Sequence, residues 1–129
     1  MSIYLDTSAA AKLLVDEAES EALAAYVDET GAEQDLVSSA LLETELRRLA
    51  VRLGLDQSAV TDLLARLDLV DPPRSLFHEA GLLPGTQLRI LDALHLATAL
   101  RVDADTLVAY DARLLDAARS LGFGVHSPT

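Results

Sequence analysis

The sequence contains no cysteine, which excludes disulfide bonds, thiolate metal sites and a cysteine nucleophile. It contains one lysine, Lys12, because arginine supplies the other nine of its ten basic residues. No uninterrupted apolar stretch approaches the length that crosses a bilayer. The N-terminus has no charged segment followed by a long apolar one. We therefore expect a soluble, cytoplasmic protein with no membrane partner.

Positive charge is also scarce, and the formal net charge of −11 argues against nucleic-acid binding, which usually leaves a basic footprint. The few basic residues are unevenly placed, since Arg47, Arg48 and Arg52 cluster on one predicted helix beside Glu45. A guanidinium binds phosphate oxygens bidentately, so a local role in anion binding stays open. The alternative is that the high share of arginine reflects genomic base composition.

The pattern alternates strands and helices, which predicts a parallel sheet covered by helices in a single domain. Half of the 129 residues are hydrophobic, enough for one core. The predicted strands are 3–6, 36–38, 67–71 at a sheet edge, 106–110 and a weak one from 125. The predicted helices are 9–27, 40–53, 57–67, 74–83, 87–101 and 112–121.

Four carboxylates lie where such a fold would bring them together. Asp6 and Asp111 follow predicted strands, and the carboxyl ends of parallel strands line the ligand crevice. Glu45 and Asp92 lie within predicted helices. Converging acids repel one another unless a cation lies between them, and oxygen-only ligands favour Mg²⁺ or Mn²⁺. Such a site suggests phosphoryl-transfer chemistry, with nucleic acid as one candidate substrate.

Each carboxylate also has an ordinary structural interpretation. Asp6 and Asp111 are typical helix N-caps, and Glu45 could simply face water at the edge of an apolar stripe. Asp92 interrupts an otherwise apolar helix, where a carboxylate needs a partner or a metal. We expect His95, three residues further on the same face, to pack or hydrogen-bond, because imidazole suits Mg²⁺ less well than carboxylate does.

Further polar residues flank these carboxylates. Thr7 or Ser8 could assist a metal-bound water or contact phosphate, and the alternative for Ser8 is a helix cap. Arg113 could contact phosphate or stabilise an acidic site. Asp116 is a candidate fifth acidic ligand, and the alternative is an exposed position on a helix.

Four segments, in order along nearly the whole chain, resemble the PIN-domain ribonucleases, and among them the VapC-type toxins of bacterial VapBC toxin–antitoxin pairs. The segments are 4–9, 39–48, 91–99 and 109–114. The resemblance implies that residues 1–129 form one PIN-like domain. The implied fold class is α/β, a three-layer α/β/α domain with a parallel sheet of four or five strands.

The resemblance also implies an activity, that of a Mg²⁺- or Mn²⁺-dependent endoribonuclease hydrolysing phosphodiester bonds in single-stranded or structured RNA, such as tRNA or rRNA. It implies a VapB-like antitoxin partner and a homodimer. By position, the residues that match the catalytic and metal-binding quartet are Asp6, Glu45, Asp92 and Asp111. Asp116 matches an accessory acid, and Thr7 or Ser8 matches the family's hydroxyl position.

Four other classes of protein are alternatives. A phosphoacceptor receiver domain and a haloacid-dehalogenase-like phosphatase both need a late lysine, which this chain lacks. The phosphatase also needs a second aspartate where Ser8 stands. A non-catalytic PIN-like module that binds RNA or protein and a housekeeping RNA-processing nuclease both stay open.

Overall fold

The computed structural model describes residues 1–129, with five strands and seven helices. In chain order they are β1 (Ser2–Leu5), α1 (Thr7–Lys12), α2 (Ser20–Gly31), β2 (Asp35–Ser39), α3 (Leu41–Leu53), α4 (Gln57–Leu64), β3 (Asp68–Val70), α5 (Arg74–Gly81), α6 (Ile90–Arg101), β4 (Thr106–Val108), α7 (Ala112–Ser120) and β5 (Gly124–His126). All five predicted strands form. The helix expected at 9–27 is replaced by two shorter ones.

All five strands are parallel and lie in the order β3-β2-β1-β4-β5, which confirms β3 as an edge strand. From β1 the chain builds one half of the sheet through β2 and β3, and then crosses to β4 and β5 on the other side. The strand order therefore reverses beside β1. Ligand crevices of open α/β sheets form at such a reversal, outside the carboxyl ends of the strands.

Helices cover both faces of the sheet, as the alternation of side chains on β1 requires. Ile3 and Leu5 pack on one face against helices α1 to α4, whereas Tyr4 packs on the other face against α6 and α7. Helix α5 is attached to α6 through a smaller apolar cluster centred on Leu76. Each fully buried leucine contributes about 1.5–3 kcal/mol. The result is the expected three-layer α/β/α arrangement.

Residues 13–19 interrupt the helix that was expected at 9–27, and this expectation was wrong. Lys12 Nζ pairs with Glu17 at 2.8 Å and with Glu19 at 3.0 Å. On a continuous helix those two glutamates would point about 160° apart, so they could not both reach one ammonium. The backbone N–H of Glu17 also donates to Ser20 Oγ at 2.9 Å, at the start of α2. These local contacts favour a turn over another helical turn.

None of the seven helices combines the length and the apolar character that crossing a membrane requires.

Candidate active site

The four predicted carboxylates lie around the carboxyl edge of the sheet, where the strand order reverses. Asp6 directly follows β1, and Asp111 lies just beyond β4 at the start of α7. Burial raises the pKa of Asp92, and the charges of Asp111 and Asp6 raise it further. Glu45 joins the group through His95, whose Nε2 lies 2.7 Å from Glu45 Oε1. The charges of Glu45, Asp6 and Asp92 all act on His95, so Glu45 lies beside the three aspartates with His95 between them.

Asp6 combines a position at this edge with the role of an N-cap. Its side chain is almost completely buried, and its Oδ2 accepts hydrogen bonds from Ser8 N at 3.1 Å and Ser8 Oγ at 2.8 Å. Ser8 Oγ in turn accepts from the backbone N–H of Tyr110 at 2.9 Å. Asp6, and not Ser8, is therefore the cap of α1, and Ser8 links Asp6 to the segment that leads to Asp111.

The residues on α7 are more exposed. Asp111 caps this helix by accepting from the backbone N–H of Arg113 at 2.9 Å, as its residue type suggested. The Arg113 side chain is exposed and forms no ion pair. Asp116 is also exposed, and it pairs with Arg119 at 3.2 Å. It is not among the charges that act on Asp92, so its accessory role stays a prediction.

Each of the four carboxylates is oriented by a partner of its own. Asp92 Oδ2 accepts a long hydrogen bond of 3.4 Å from the backbone N–H of Arg89, at the N-terminus of α6. No three acidic or histidine side chains converge closely enough in this arrangement to hold one metal ion. The chemistry of the donors nevertheless fits a hard divalent cation. They are all carboxylate oxygens, and their mutual repulsion is what raises the pKa of Asp92 beyond the effect of burial. Side-chain rotations would be needed to enclose an ion.

A buried hydrogen-bond network lies next to the carboxylates. His95 is fully buried, and its Nδ1 lies 2.6 Å from the Tyr4 hydroxyl. Its Nε2 lies 3.1 Å from Thr7 Oγ1, in addition to the contact with Glu45. Burial by itself would lower the pKa of His95, but the hydrogen bond to Glu45 and the nearby acidic charges outweigh it, so that pKa is raised.

Sequence reasoning identified His95 as a structural residue but missed Tyr4. Burial strongly raises the pKa of the Tyr4 phenol, which therefore stays protonated. The one available signal was a hydroxyl-bearing aromatic between two aliphatic residues of a buried strand, since a buried phenol needs a hydrogen-bond partner.

A groove of about 580 Å³ extends from Glu45 along α3. Much of its wall is apolar, and Leu41, Leu49 and Leu91 contribute to it. Arg48 and Arg52 also line the groove, and neither forms an ion pair. Thr7 and Ser8 lie at the same groove, so the predicted hydroxyl positions adjoin it. The groove thus combines apolar surface, two free guanidinium groups and one end of the carboxylate group.

Comparison with known families gives a consistent result. The family model described as "PIN domain" matches residues 3–120. Ribonuclease VapC46 of Mycobacterium tuberculosis strain ATCC 25618 / H37Rv is 43% identical over 131 residues, which cover 99% of this chain and 98% of the relative. Ribonuclease VapC47 of M. tuberculosis strain CDC 1551 / Oshkosh is 36% identical over 133 residues, which cover 98% of this chain and 96% of the relative.

Solved structures show the same fold. VapBC2 from Rickettsia felis, bound to a DNA fragment from its promoter, superimposes with a TM-score of 0.81 at 17% identity, over 100% of both chains. VapC20 of Mycobacterium tuberculosis, a Sarcin-Ricin loop cleaving toxin, gives a TM-score of 0.73 at 18% identity, over 98% of this chain and 99% of the other.

Proposed function

Because this chain belongs to the PIN-domain family, we propose that it is a metal-dependent endoribonuclease, the toxin of a type II toxin–antitoxin pair. The observation that carries the proposal is the gathering of Asp6, Glu45, Asp92 and Asp111 at the edge of the sheet, with the pKa of Asp92 raised. The curated relatives at 36–43% identity, all named Ribonuclease VapC, support the RNA-hydrolysing activity.

The carboxylates divide between two roles in this proposal. Asp6, Asp92 and Asp111 are the main ligands of Mg²⁺ or Mn²⁺, and Glu45 binds a second ion or orients the attacking water. When bound, the cation supplies positive charge that offsets the charge developing on the scissile phosphate. Ser8 keeps the Asp6 carboxylate in place, since it donates two hydrogen bonds to the same oxygen. Asp116 has an accessory role at most, because Arg119 holds it.

The groove beside Glu45 supports RNA as the substrate. Guanidinium groups bind phosphate oxygens well, and those of Arg48 and Arg52 are not engaged by acids of the chain itself. The apolar side chains of Leu41 and Leu91 offer a surface for unstacked bases, which only single-stranded or looped RNA presents. Thr7 and Arg113 are weaker candidates for substrate contact.

Partners and cellular context complete the proposal. The VapC relatives support an antitoxin of the VapB type as the protein partner, and the R. felis structure is a complex of a VapB with a VapC. A homodimer, a cytoplasmic location and a single domain over residues 1–129 are further parts of the proposal.

The test is cleavage of total RNA by the purified protein with Mg²⁺, Mn²⁺ or EDTA. The Asp6→Asn variant is compared with Asp62→Asn, which removes an exposed carboxylate of α4 that makes no hydrogen bond or ion pair. We expect metal-dependent cleavage by the wild type and Asp62→Asn, and loss of most cleavage in Asp6→Asn. Full activity of Asp6→Asn would contradict the assignment. A wild type that cuts no RNA and is not stabilised by Mn²⁺ is instead a non-catalytic module.

A further inference from the structure

A buried imidazole connects the candidate active site to the central strand. His95 lies on α6 and is 1% exposed, and both of its ring nitrogens have partners on other elements. Nδ1 contacts the Tyr4 hydroxyl on β1 at 2.6 Å, and Nε2 contacts Glu45 Oε1 on α3 at 2.7 Å. Nε2 also lies 3.1 Å from Thr7 Oγ1 on α1. The ring therefore contacts three other elements, and its orientation is held from both sides.

The direction of these hydrogen bonds follows from the partners. An ionised carboxylate can only accept, so the hydrogen on Nε2 points to Glu45. The Tyr4 hydroxyl can donate to the lone pair of Nδ1 at the opposite side of the ring. No buried side-chain nitrogen or oxygen in the protein lacks a hydrogen-bond partner, so the chain Tyr4–His95–Glu45 is fully satisfied. Satisfied buried networks are rigid and allow one arrangement.

Glu45 depends on this contact. Its carboxylate is half-buried, and the hydrogen bond from His95 is the only one that its side chain makes. A glutamate has three rotatable side-chain bonds, whose freedom must be restricted before the carboxylate can act on a bound group. His95 holds Oε1 and leaves Oε2 without a protein partner. Glu45 is thus fixed at one oxygen and available at the other.

We propose that His95, itself held by Tyr4, is a positioning residue that fixes the orientation of Glu45 for the reaction. This inference rests on the proposed nuclease function and adds a residue that binds neither metal nor RNA. Residues that orient a ligand by hydrogen bonding typically change metal affinity or activity by about 10- to 100-fold when they are mutated.

Two conservative variants of His95 distinguish a role in positioning Glu45 from a role in packing. In His95→Gln the side-chain amide nitrogen takes the place of Nε2, so a donor to Glu45 is kept and the contact with Tyr4 is lost. In His95→Asn the amide lies near Nδ1, so the contact with Tyr4 is kept and the donor to Glu45 is lost. Both variants are neutral and polar, but asparagine is one methylene smaller than glutamine, so the loss of packing is measured separately by thermal unfolding.

The measurements are kcat and KM for RNA cleavage, together with thermal unfolding in EDTA. We expect His95→Asn to lower kcat by about 10- to 100-fold and His95→Gln by only a few-fold, with KM unchanged in both. Each variant should unfold at a lower temperature than the wild type, because each loses buried volume and at least one hydrogen bond. Equal losses of kcat in the two variants, or losses that follow their melting temperatures, would show that His95 acts only through packing.

A second readout uses the metal-free protein. In ¹H–¹⁵N spectra of the imidazole groups, Glu45→Gln and Tyr4→Phe should each shift the His95 ring signals. Tyr26→Phe is the control, since the Tyr26 ring lies 4.6 Å from the His126 ring and should shift only that histidine. Unchanged His95 signals in Glu45→Gln would overturn the inference even if cleavage is normal. A wild type that cleaves no RNA with any metal would overturn the proposed function, and the inference with it.

Discussion

Replacement of Arg48 by alanine tests whether the groove beside Glu45 receives the RNA backbone. Arg48 lines the groove and forms no ion pair. Its neighbour Arg47 is the matched control, because that guanidinium is held by Glu43 at 2.8 Å and by Gln57 at 3.1 Å. Each substitution makes the net charge of −11 more negative by one, so long-range repulsion of RNA grows equally in both variants. A difference between them therefore reports a local contact.

The expected magnitude follows from the number of free guanidinium groups. One phosphate contact contributes about 0.7 to the slope of log K against log salt concentration for single-stranded nucleic acid. We expect Arg48→Ala to reduce this slope by about 0.7, and the double variant with Arg52→Ala by about 1.4. Because both arginines are exposed, each contact should be worth about 1 kcal/mol, roughly fivefold in Kd.

Fluorescence anisotropy of a labelled single-stranded RNA measures this effect, with EDTA present to prevent cleavage and KCl varied from about 50 to 200 mM. Arg48→Ala should bind RNA more weakly than Arg47→Ala, although Arg47→Ala loses more intramolecular contacts. Equal weakening in the two variants would mean that only net charge matters. An unchanged slope in Arg48→Ala would mean that the groove does not receive phosphates.

Three further predictions concern stability. The folded-state pKa of Asp92 is raised by burial and then by two neighbouring aspartates, so ionisation of Asp92 costs stability as pH rises through that pKa. Asp92→Asn should therefore raise Tm at neutral pH in EDTA, and the gain should vanish in acid; a lower Tm at neutral pH would contradict this. Tyr4→Phe leaves a buried imidazole nitrogen without its partner, so it should lower the free energy of unfolding, measured in urea, by about 1–3 kcal/mol. Tyr26→Phe loses no hydrogen bond and should leave that free energy almost unchanged. Gly54→Ala should lower the free energy of unfolding by about 1 kcal/mol, because φ is 68° at Gly54. Gly81→Ala is the control, since Gly81 has an ordinary φ and equally open space around it. Equal effects of the two substitutions would refute backbone strain at residue 54.

Much of the fold was predictable because local signals and tertiary structure agree. The alternation of apolar strands and amphipathic helices predicted every strand and the position of β3 at an edge. Residue type alone indicated the caps at Asp6 and Asp111. Gly54 ends α3 with a left-handed conformation, as expected of a glycine at that position. These features depend on interactions between residues that are close together along the chain, so they can be predicted from the sequence.

The break between α1 and α2 was not predictable in the same way. Residues 9–27 are rich in alanine, leucine and glutamate, which are good helix formers, and their apolar spacing fits one helix. In the structure Lys12 pairs with Glu17 and Glu19, five and seven residues away, across the interruption. Side-chain pairs that can be recognised on a helix are three or four residues apart, so the sequence spacing indicates neither of these ion pairs.

The contact between Tyr4 and His95 was hidden for a different reason. The two residues are 91 positions apart, and they meet only because Tyr4 points to the face of β1 on which α6 packs. The sequence placed His95 on the same helix face as Asp92 and gave no indication of its hydrogen-bond partners. In the structure the imidazole turns to Glu45, because the packing of α3 places that carboxylate above the buried ring. Site residues at strand ends could thus be predicted individually, whereas their partners depend on how the helices pack.

The distribution of ion pairs would allow an acidic protein to bind RNA, as the proposed function requires. Five basic side chains are engaged by acids of the chain, namely Lys12, Arg47, Arg66, Arg101 and Arg119. Of the five that form no ion pair, four flank the carboxylates: Arg48 and Arg52 beside Glu45, Arg89 before Asp92, and Arg113 after Asp111. Beyond a Debye length of about 8–10 Å salt screens the net charge, and at shorter range the local charges dominate. A nucleic acid outside the groove therefore meets mainly repulsion, whereas a strand that enters it reaches Arg48 and Arg52. The net negative charge should thus weaken non-specific binding, whereas the free arginines should favour single-stranded segments that enter the groove.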